Sequence, residues 1–245
     1  MRCAGNGRMG SAGRDVWLAG REGRVATSTY SPYPALVPLA HRWGAYRVRA
    51  VNVRLPAPER RRQLLDTALE VFAAEGFHST SMNDVAEAAG VTKPVLYQHF
   101  KSKRKLYLEL LEDVGTRLGQ RIEEATAAAG SPHQQVEAGF VAYFRFVAEY
   151  RSAYQLLFGG GSRRDAEFAD AVRRVEEHLA TSVAALIDAD IDADHRRTLA
   201  FGLVGMAEGT SRLWVAEDLD FDPVVLARQV AELAWAGLRG VHRVD

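Results

Sequence analysis

The chain has 245 residues, 47% hydrophobic and 25% charged, and its 31 Lys and Arg balance 31 Asp and Glu. This suits an ordinary folded protein with one or two cores, and no run approaches the ~20 apolar residues of a membrane span. A single cysteine, Cys3, excludes an internal disulfide and a cysteine-rich zinc site, and it suits a reducing, cytoplasmic setting.

The neutral total hides a division. Residues 1–54 carry nine Lys and Arg against two acids, residues 55–118 nine of each, and residues 119–245 thirteen against twenty. Three sections with different tasks are expected. The first is rich in Gly, Ser, Pro and Arg and lacks hydrophobic periodicity, which predicts a disordered or loosely attached extension. Its longest apolar piece, around Pro34 to Ala40, is broken by prolines, so a secretory signal is not expected.

Order begins at Leu55. After Pro56 and Pro58, RRRQLLDTALEVFAAEG places Leu65, Leu69 and Phe72 at helical spacing, with Ala68 and Val71 beside them, and predicts a helix that stops at Gly76. The stretch from Thr80 to Lys105, TSMNDVAEAAGVTKPVLYQHFKSKRK, reads as two short helices around a glycine turn. Ser81 caps the first, with Asp84 in its first turn, and Val85, Ala86 and Ala89 give it a small apolar face. Gly90 sits where a helix ends in a left-handed residue. Thr92 is placed to cap the second helix, with Pro94 in its first turn. Leu96 and Phe100 anchor that helix inward, leaving Lys93, Val95, Tyr97, Gln98 and His99 outward. Between Ala88 and Leu108 stand five cations, Lys93, Lys101, Lys103, Arg104 and Lys105, and no acid. Caps, turn, anchors and cations together predict a helix-turn-helix that meets double-stranded DNA.

The segment from Gly76 to Tyr107 resembles the DNA-binding domain of the TetR family of one-component transcriptional regulators, over about residues 59 to 115. The resemblance rests on Gly76, Phe77, Thr80, Val85, Ala86, Ala89, Gly90, Val91, Leu96, Tyr97, His99, Phe100 and Lys103. It implies that Thr80, Lys103, Tyr97 and His99 hold the DNA backbone, and that Lys93, Pro94, Val95 and Gln98 read bases. Lys93 would donate to guanine, with Pro94 and Val95 against a thymine methyl. With Ser81 and Thr92 these complete the expected DNA-facing set. Arg60, Arg61 and Arg62 either approach the DNA or form a solvated helix end. Residues 1–54 are either a basic arm along the phosphates or lie outside the working protein, with translation starting near Val51 or Val53. The family usually begins close to the first helix, which favours the second reading.

From Lys103 a long connector helix is expected to about Ala129, with Gly115 and Gly119 marking either a bend or a close approach. Helices then follow from Ser131–Pro132 to about Tyr150, through YQLLFGGG, from Asp165 to about Ala189, from Asp194 to Val215, and from Asp222–Pro223 to near Gly240. The reading is all-α, about nine helices, with boundaries at 1–54, 55–102, 103–129 and 130–245.

Gly159–Gly161 is not a phosphate loop, since no strand precedes it and no Gly-Lys-Ser/Thr follows. Asp188, Asp190, Asp192 and Asp194 lack the glycine and glutamate of a calcium loop and read as an interhelical turn and cap. The seven histidines have no ligand spacing, and no catalytic ordering is present, so no metal, cofactor or enzymatic activity is expected. Phe140, Tyr143, Phe144, Tyr150, Tyr154, Phe158 and Phe168 form an aromatic group that is either plain core or, as the resemblance implies, the wall of an effector pocket. Phe201, Met206 and Trp214 would extend that wall, with Arg145, Glu149, His178 and Glu208 as polar contacts. The resemblance further implies a homodimer through the last two helices, using the Gly202, Gly205 and Gly209 face and a stripe of Val225, Val230, Leu233, Ala234 and Leu238. It implies a repressor released from a palindromic operator by a small, largely apolar molecule. The alternative is a constitutive or architectural DNA-binding protein whose second part only dimerises.

Overall fold

The computed structural model describes residues 55–159 and 164–241. The expectations for residues 1–54 fall outside them, as does most of the declined glycine loop. Among the described residues there are nine α-helices and no strand. They are α1 (Ala57–Ser79), α2 (Met82–Ala88), α3 (Lys93–His99), α4 (Lys103–Ala127), α5 (Pro132–Glu149), α6 (Arg151–Phe158), α7 (Ala166–Leu186), α8 (Ala193–Ala216) and α9 (Pro223–Leu238).

α1 buries Leu64, Leu65, Ala68, Leu69, Val71 and Phe72 on one side. Its helical backbone breaks at Gly76 (φ 79°, ψ 162°), and a further turn carries the chain to Ser79. Gly76 is the expected stop, and the extra turn exists because Thr80 closes it. The Thr80 amide and hydroxyl both donate to the Gly76 carbonyl, at 3.3 and 2.9 Å. α2 opens on a reciprocal capping box, in which the Asp84 amide donates to Ser81 Oγ and the Ser81 amide to Asp84 Oδ2. These bonds from Ser81 hold the Asp84 carboxyl below its ordinary range.

The turn after α2 is a Schellman motif. Gly90, at φ 65°, donates to the Glu87 carbonyl and Val91 to that of Ala86. This aims α3 across α2, and Leu96 and Phe100, both fully buried, lock it down.

α4 is the axis of the molecule, touching α1, α5, α6 and α7. Leu106, Leu110, Leu111, Val114 and Leu118 form its buried spine. Gly115 and Gly119 mark close packing within an unbroken helix: a Cβ on Gly115 would stand 2.5 Å from a Val175 methyl of α7, whereas one on Gly119 would lie 3.7 Å from Leu179. α5 packs between α4 and α9, and α7 between α4 and α8. Asp165, Asp192 and Asp222 cap α7, α8 and α9 by accepting first-turn amides. Asp192 is therefore the capping member of the aspartate series. The helix-turn-helix and the remaining helices share one compact unit, because α1 lies against α6 as well as α4.

Gly115→Ala is expected to force α4 and α7 apart and to cost about 1–3 kcal/mol by overpacking. Gly119→Ala, in ordinary contact, should be neutral or stabilising by up to about 1 kcal/mol through helix propensity. Denaturant melts of the two variants compare them directly.

Candidate nucleic-acid interface and effector cavity

α3 is held from within and open outside. Thr92, Lys93, Pro94, Tyr97 and Gln98 are exposed, and Val95 and His99 half-buried. Thr92 stands at the N-cap with its carbonyl accepting from Val95 and Leu96, but its hydroxyl makes no capping bond and remains on the outer surface. The Lys93 ammonium lies 6.0 Å from the Tyr97 ring centroid, at the outer limit of a cation–π contact. Lys101 and Lys105 are exposed just beyond the helix, and Ser102 caps α4 by accepting from the Lys105 amide at 3.1 Å.

Two residues expected on phosphates also make bonds within the fold. Thr80 is 1% exposed with its hydroxyl committed to Gly76. Lys103 Nζ donates to the carbonyls of Phe77 and Thr80, both at 2.7 Å, and His78 at 3.4 Å, and lies 4.4 Å from the Phe77 centroid. An ammonium has three donors, and here they seal the C-terminal end of α1. Ser81, Lys101 and Lys105 are exposed at this corner.

The arginines of α1 are also spoken for. Arg61 pairs with Glu109 of α4 and stacks on Phe100 at 5.1 Å; Arg62 pairs with Asp113 at 2.6 Å; and Arg117 of α4 returns a bond to Asp66 at 2.5 Å. Together these pairs form a ladder binding α1 to α4. Nothing in the local sequence reveals it, because its partners stand about fifty positions apart.

Among helices α4, α5, α7, α8 and α9 lies a cavity of about 400 Å³, within the range of about 300–1,000 Å³ usual for small-ligand sites. Its wall is largely apolar, including Ile122, Phe140, Leu179, Val183, Leu203 and Trp235. Gln135, Asp188, Asp190 and Arg239 mark one end. Of the aromatic residues picked out in the sequence, Phe140 and Tyr143 reach it. Phe144 is buried one layer behind, against Phe140 and Trp214. Tyr150 pairs with Phe146, and Tyr154 with Phe158 along α6. Phe168 packs on Phe77 and Tyr107 at 4.7 and 4.6 Å, where α7 meets the DNA-binding helices. Phe201 is 37% exposed and Met206 lies off the wall. Arg145, Glu149, His178 and Glu208 do not line the cavity, whereas Asp188 and Asp190, read as a plain turn, do.

The comparisons with known proteins agree with this architecture. Residues 64–110 match the family model described as bacterial regulatory proteins, tetR family, and residues 132–237 match the tetracyclin repressor-like C-terminal domain. The transcriptional activator FasR of Mycolicibacterium smegmatis is 35% identical over 190 residues, covering 77% of this chain and 87% of that protein. The chain belongs to the TetR family.

As in that family, a DNA-binding helix-turn-helix is joined to a helical C-terminal part. A TetR-like regulator from Rhodococcus sp. RHA1 superposes with a TM-score of 0.63 at 29% identity, over 77% of this chain and all of that one. FadR of Bacillus subtilis, solved in complex with stearoyl-CoA, gives 0.64 at 20% identity over 74% of this chain and 99% of its own, a likeness of fold. The match to the tetR family model spans α2 and α3, and the Lys103 ammonium caps the end of α1. Lys103→Ala should therefore lower folding stability by about 1–3 kcal/mol, the cost of losing charged bonds to orphan carbonyls. Lys93→Ala should leave stability within about 0.5 kcal/mol. Chemical denaturation beside fluorescence anisotropy on duplex DNA separates the two roles.

Proposed function

We propose that this regulator is a dimer that binds a palindromic operator through paired α3 helices, and that a small, largely apolar effector in the cavity sets its affinity for that operator. The observation that carries this reading is one helix, α4, which follows the exposed α3 after a short link and lines the apolar cavity near its other end through Ile122 and Thr126. Lys93, Pro94, Val95 and Gln98 read bases in this proposal. Ser81, Thr92, Tyr97, His99, Lys101 and Lys105 hold the backbone with the amides at the start of α4.

A lone seven-residue reading helix binds weakly, and two must sit about 34–36 Å apart to read successive major grooves. The face for a second copy is on α8 and α9. Leu213, Val225 and Leu233 are 49%, 53% and 68% exposed, and Gly202, Gly205 and Gly209 have open space where a Cβ would stand. Ala227 of α9 is fully buried and belongs to the protomer's own core. Effector binding between α4, α5, α7, α8 and α9 shifts α4 and with it the α1 ladder, altering the spacing of the two reading helices. The stearoyl-CoA of the FadR fold relative supports an effector with a long apolar part. Repression relieved by effector is the first reading. Effector-dependent activation is the second, favoured by the name of the M. smegmatis relative. A constitutive architectural protein is the reading both must beat.

Selection from random duplexes, followed by operator binding with and without apolar compounds, tests the proposal. A palindrome whose binding changes when a compound raises the melting temperature supports it; asymmetric single sites, or compounds that stabilise the protein with no effect on DNA, count against it. Lys93→Ala should flatten base preference at one position per half-site while keeping the salt slope, and Lys101→Ala with Lys105→Ala should reduce that slope by roughly one per lysine. Because Leu233 is so exposed, Leu233→Glu should give a folded monomer, seen as unchanged helical circular dichroism with halved mass in light scattering and lost operator binding.

A further inference from the structure

The cavity does not end where its apolar wall ends. A second, more open hollow lies beside it, and the two share Pro132 and Gln135 from the first turn of α5 with Leu186 and Asp188 from the end of α7 and the turn after it. Those four residues form a neck. On its inner side the wall is largely apolar, and on its outer side the lining is Ala129, Gly130, Ser131 and Ala185.

Both sides of the neck carry a polar group. Gln135, half-buried, brings an amide that donates and accepts, and Asp188, exposed, brings a carboxylate that only accepts. Asp190 and Arg239 line the inner hollow alone, so the charged groups lining the two hollows among the described residues are two carboxylates and one guanidinium. The outer hollow has no lysine or arginine among the described residues that line it. Arg196 lines neither hollow, and its Nε and Nη2 donate to the carbonyls of Ile187 and Ala189 at 3.1 and 2.9 Å. The turn that presents the carboxylates is thereby fixed. A helix start ordinarily receives anions, but at the start of α5 Pro132 has no amide proton and the Gln134 amide donates to Ser131 Oγ at 3.3 Å. An anionic head finds little there.

We propose that the effector is amphipathic and enters through this neck, with its chain in the inner cavity and a hydrogen-bond-donating head, ammonium or hydroxyl, between Asp188 and Gln135. This rests on the reading of the cavity as an effector site. A donor head bonds the Asp188 carboxylate and leaves the Gln135 amide for a second bond, whereas a carboxylate or phosphate in the same place meets two acids against one guanidinium. The stearoyl-CoA of the FadR fold relative carries phosphates that this neck does not match, so its apolar chain is the guide here and its head is not.

Titration calorimetry on the full chain with decylamine, 1-decanol and decanoate, at neutral pH and low salt, tests the neck in wild type, Asp188→Asn and Asp188→Lys. Residue 188 is exposed in a turn, so both variants should keep the wild-type melting temperature. Wild type should bind decylamine and decanol more tightly than decanoate. Asp188→Asn should weaken decylamine roughly two- to fivefold, the effect of removing one exposed charge partner, and leave decanol within about twofold. Asp188→Lys should bring decanoate ahead of decylamine. Decanoate binding wild type as tightly as decylamine, or an amine preference untouched by either substitution, would overturn the head assignment and leave the cavity reading standing. Failure of every probe to bind folded wild type would remove the effector site itself.

Discussion

Gly115 lets the α4 backbone approach Val175 so closely that a Cβ would stand 2.5 Å from a valine methyl, and the arrangement of both ends of the molecule depends on that approach. With α4 seated on α7, its spine from Leu106 to Leu118 is buried, and the acids Glu109 and Asp113 face α1. One helix thereby runs through the single core that the DNA-binding helices share with the rest. Displacing it is costly on either side, since close-packed interiors do not deform continuously but repack. A signal carried by α4 is accordingly a shift between discrete packings.

The contacts that fasten the DNA-binding helices to this axis differ in strength and in purpose. The ion pairs of Arg61, Arg62 and Arg117 lie at the surface, where such pairs are worth at most about 1 kcal/mol each and weaken with salt. Holding power lies in apolar contact. Phe72, Phe77, Tyr107 and Phe168 form an aromatic group that joins α1, α4 and α7, capped by Arg104 over Phe168. Arg104 then reaches Asp165 and Glu167 at the start of α7, and these bonds hold the Asp165 carboxyl below its ordinary range. The aromatic group supplies adhesion and the charged ladder supplies angle. Lys93, Lys101 and Lys105 remain exposed on and beside α3.

Local chemistry was legible in the sequence where both partners lie within a few positions. The capping box of Ser81 and Asp84, the positive φ at Gly90, the inward pair Leu96 and Phe100, and the proline starts of α5 and α9 all follow from spacings of one to four. Long-range allocation was not. The aromatic residues from Phe140 to Phe168 were near in sequence, yet α5, α6 and α7 send them to separate layers, and two reach the cavity. For Lys103 the sequence shows a charge but not the three distant carbonyls that its ammonium bonds. Asp188 and Asp190 read as a solvated turn, which they are, and only the fold places that turn at a cavity rim.

α6 is the element in which these strands of argument meet. At eight residues it is too short to hold a helix by propensity, and it has no side-chain cap. It persists because Ala153, Tyr154, Leu156, Leu157 and Phe158 are buried against its neighbours. One neighbour is α1, reached also through the Ser152 hydroxyl bond to Glu70 at 3.0 Å; another is α8, reached through Tyr154 at the Glu208 carbonyl. A helix held only by its surroundings moves with them as a body. α8, which lines the cavity through Leu203, Val204 and Ala207, is thus a single short helix away from α1, and α4 is not the only element in contact with both.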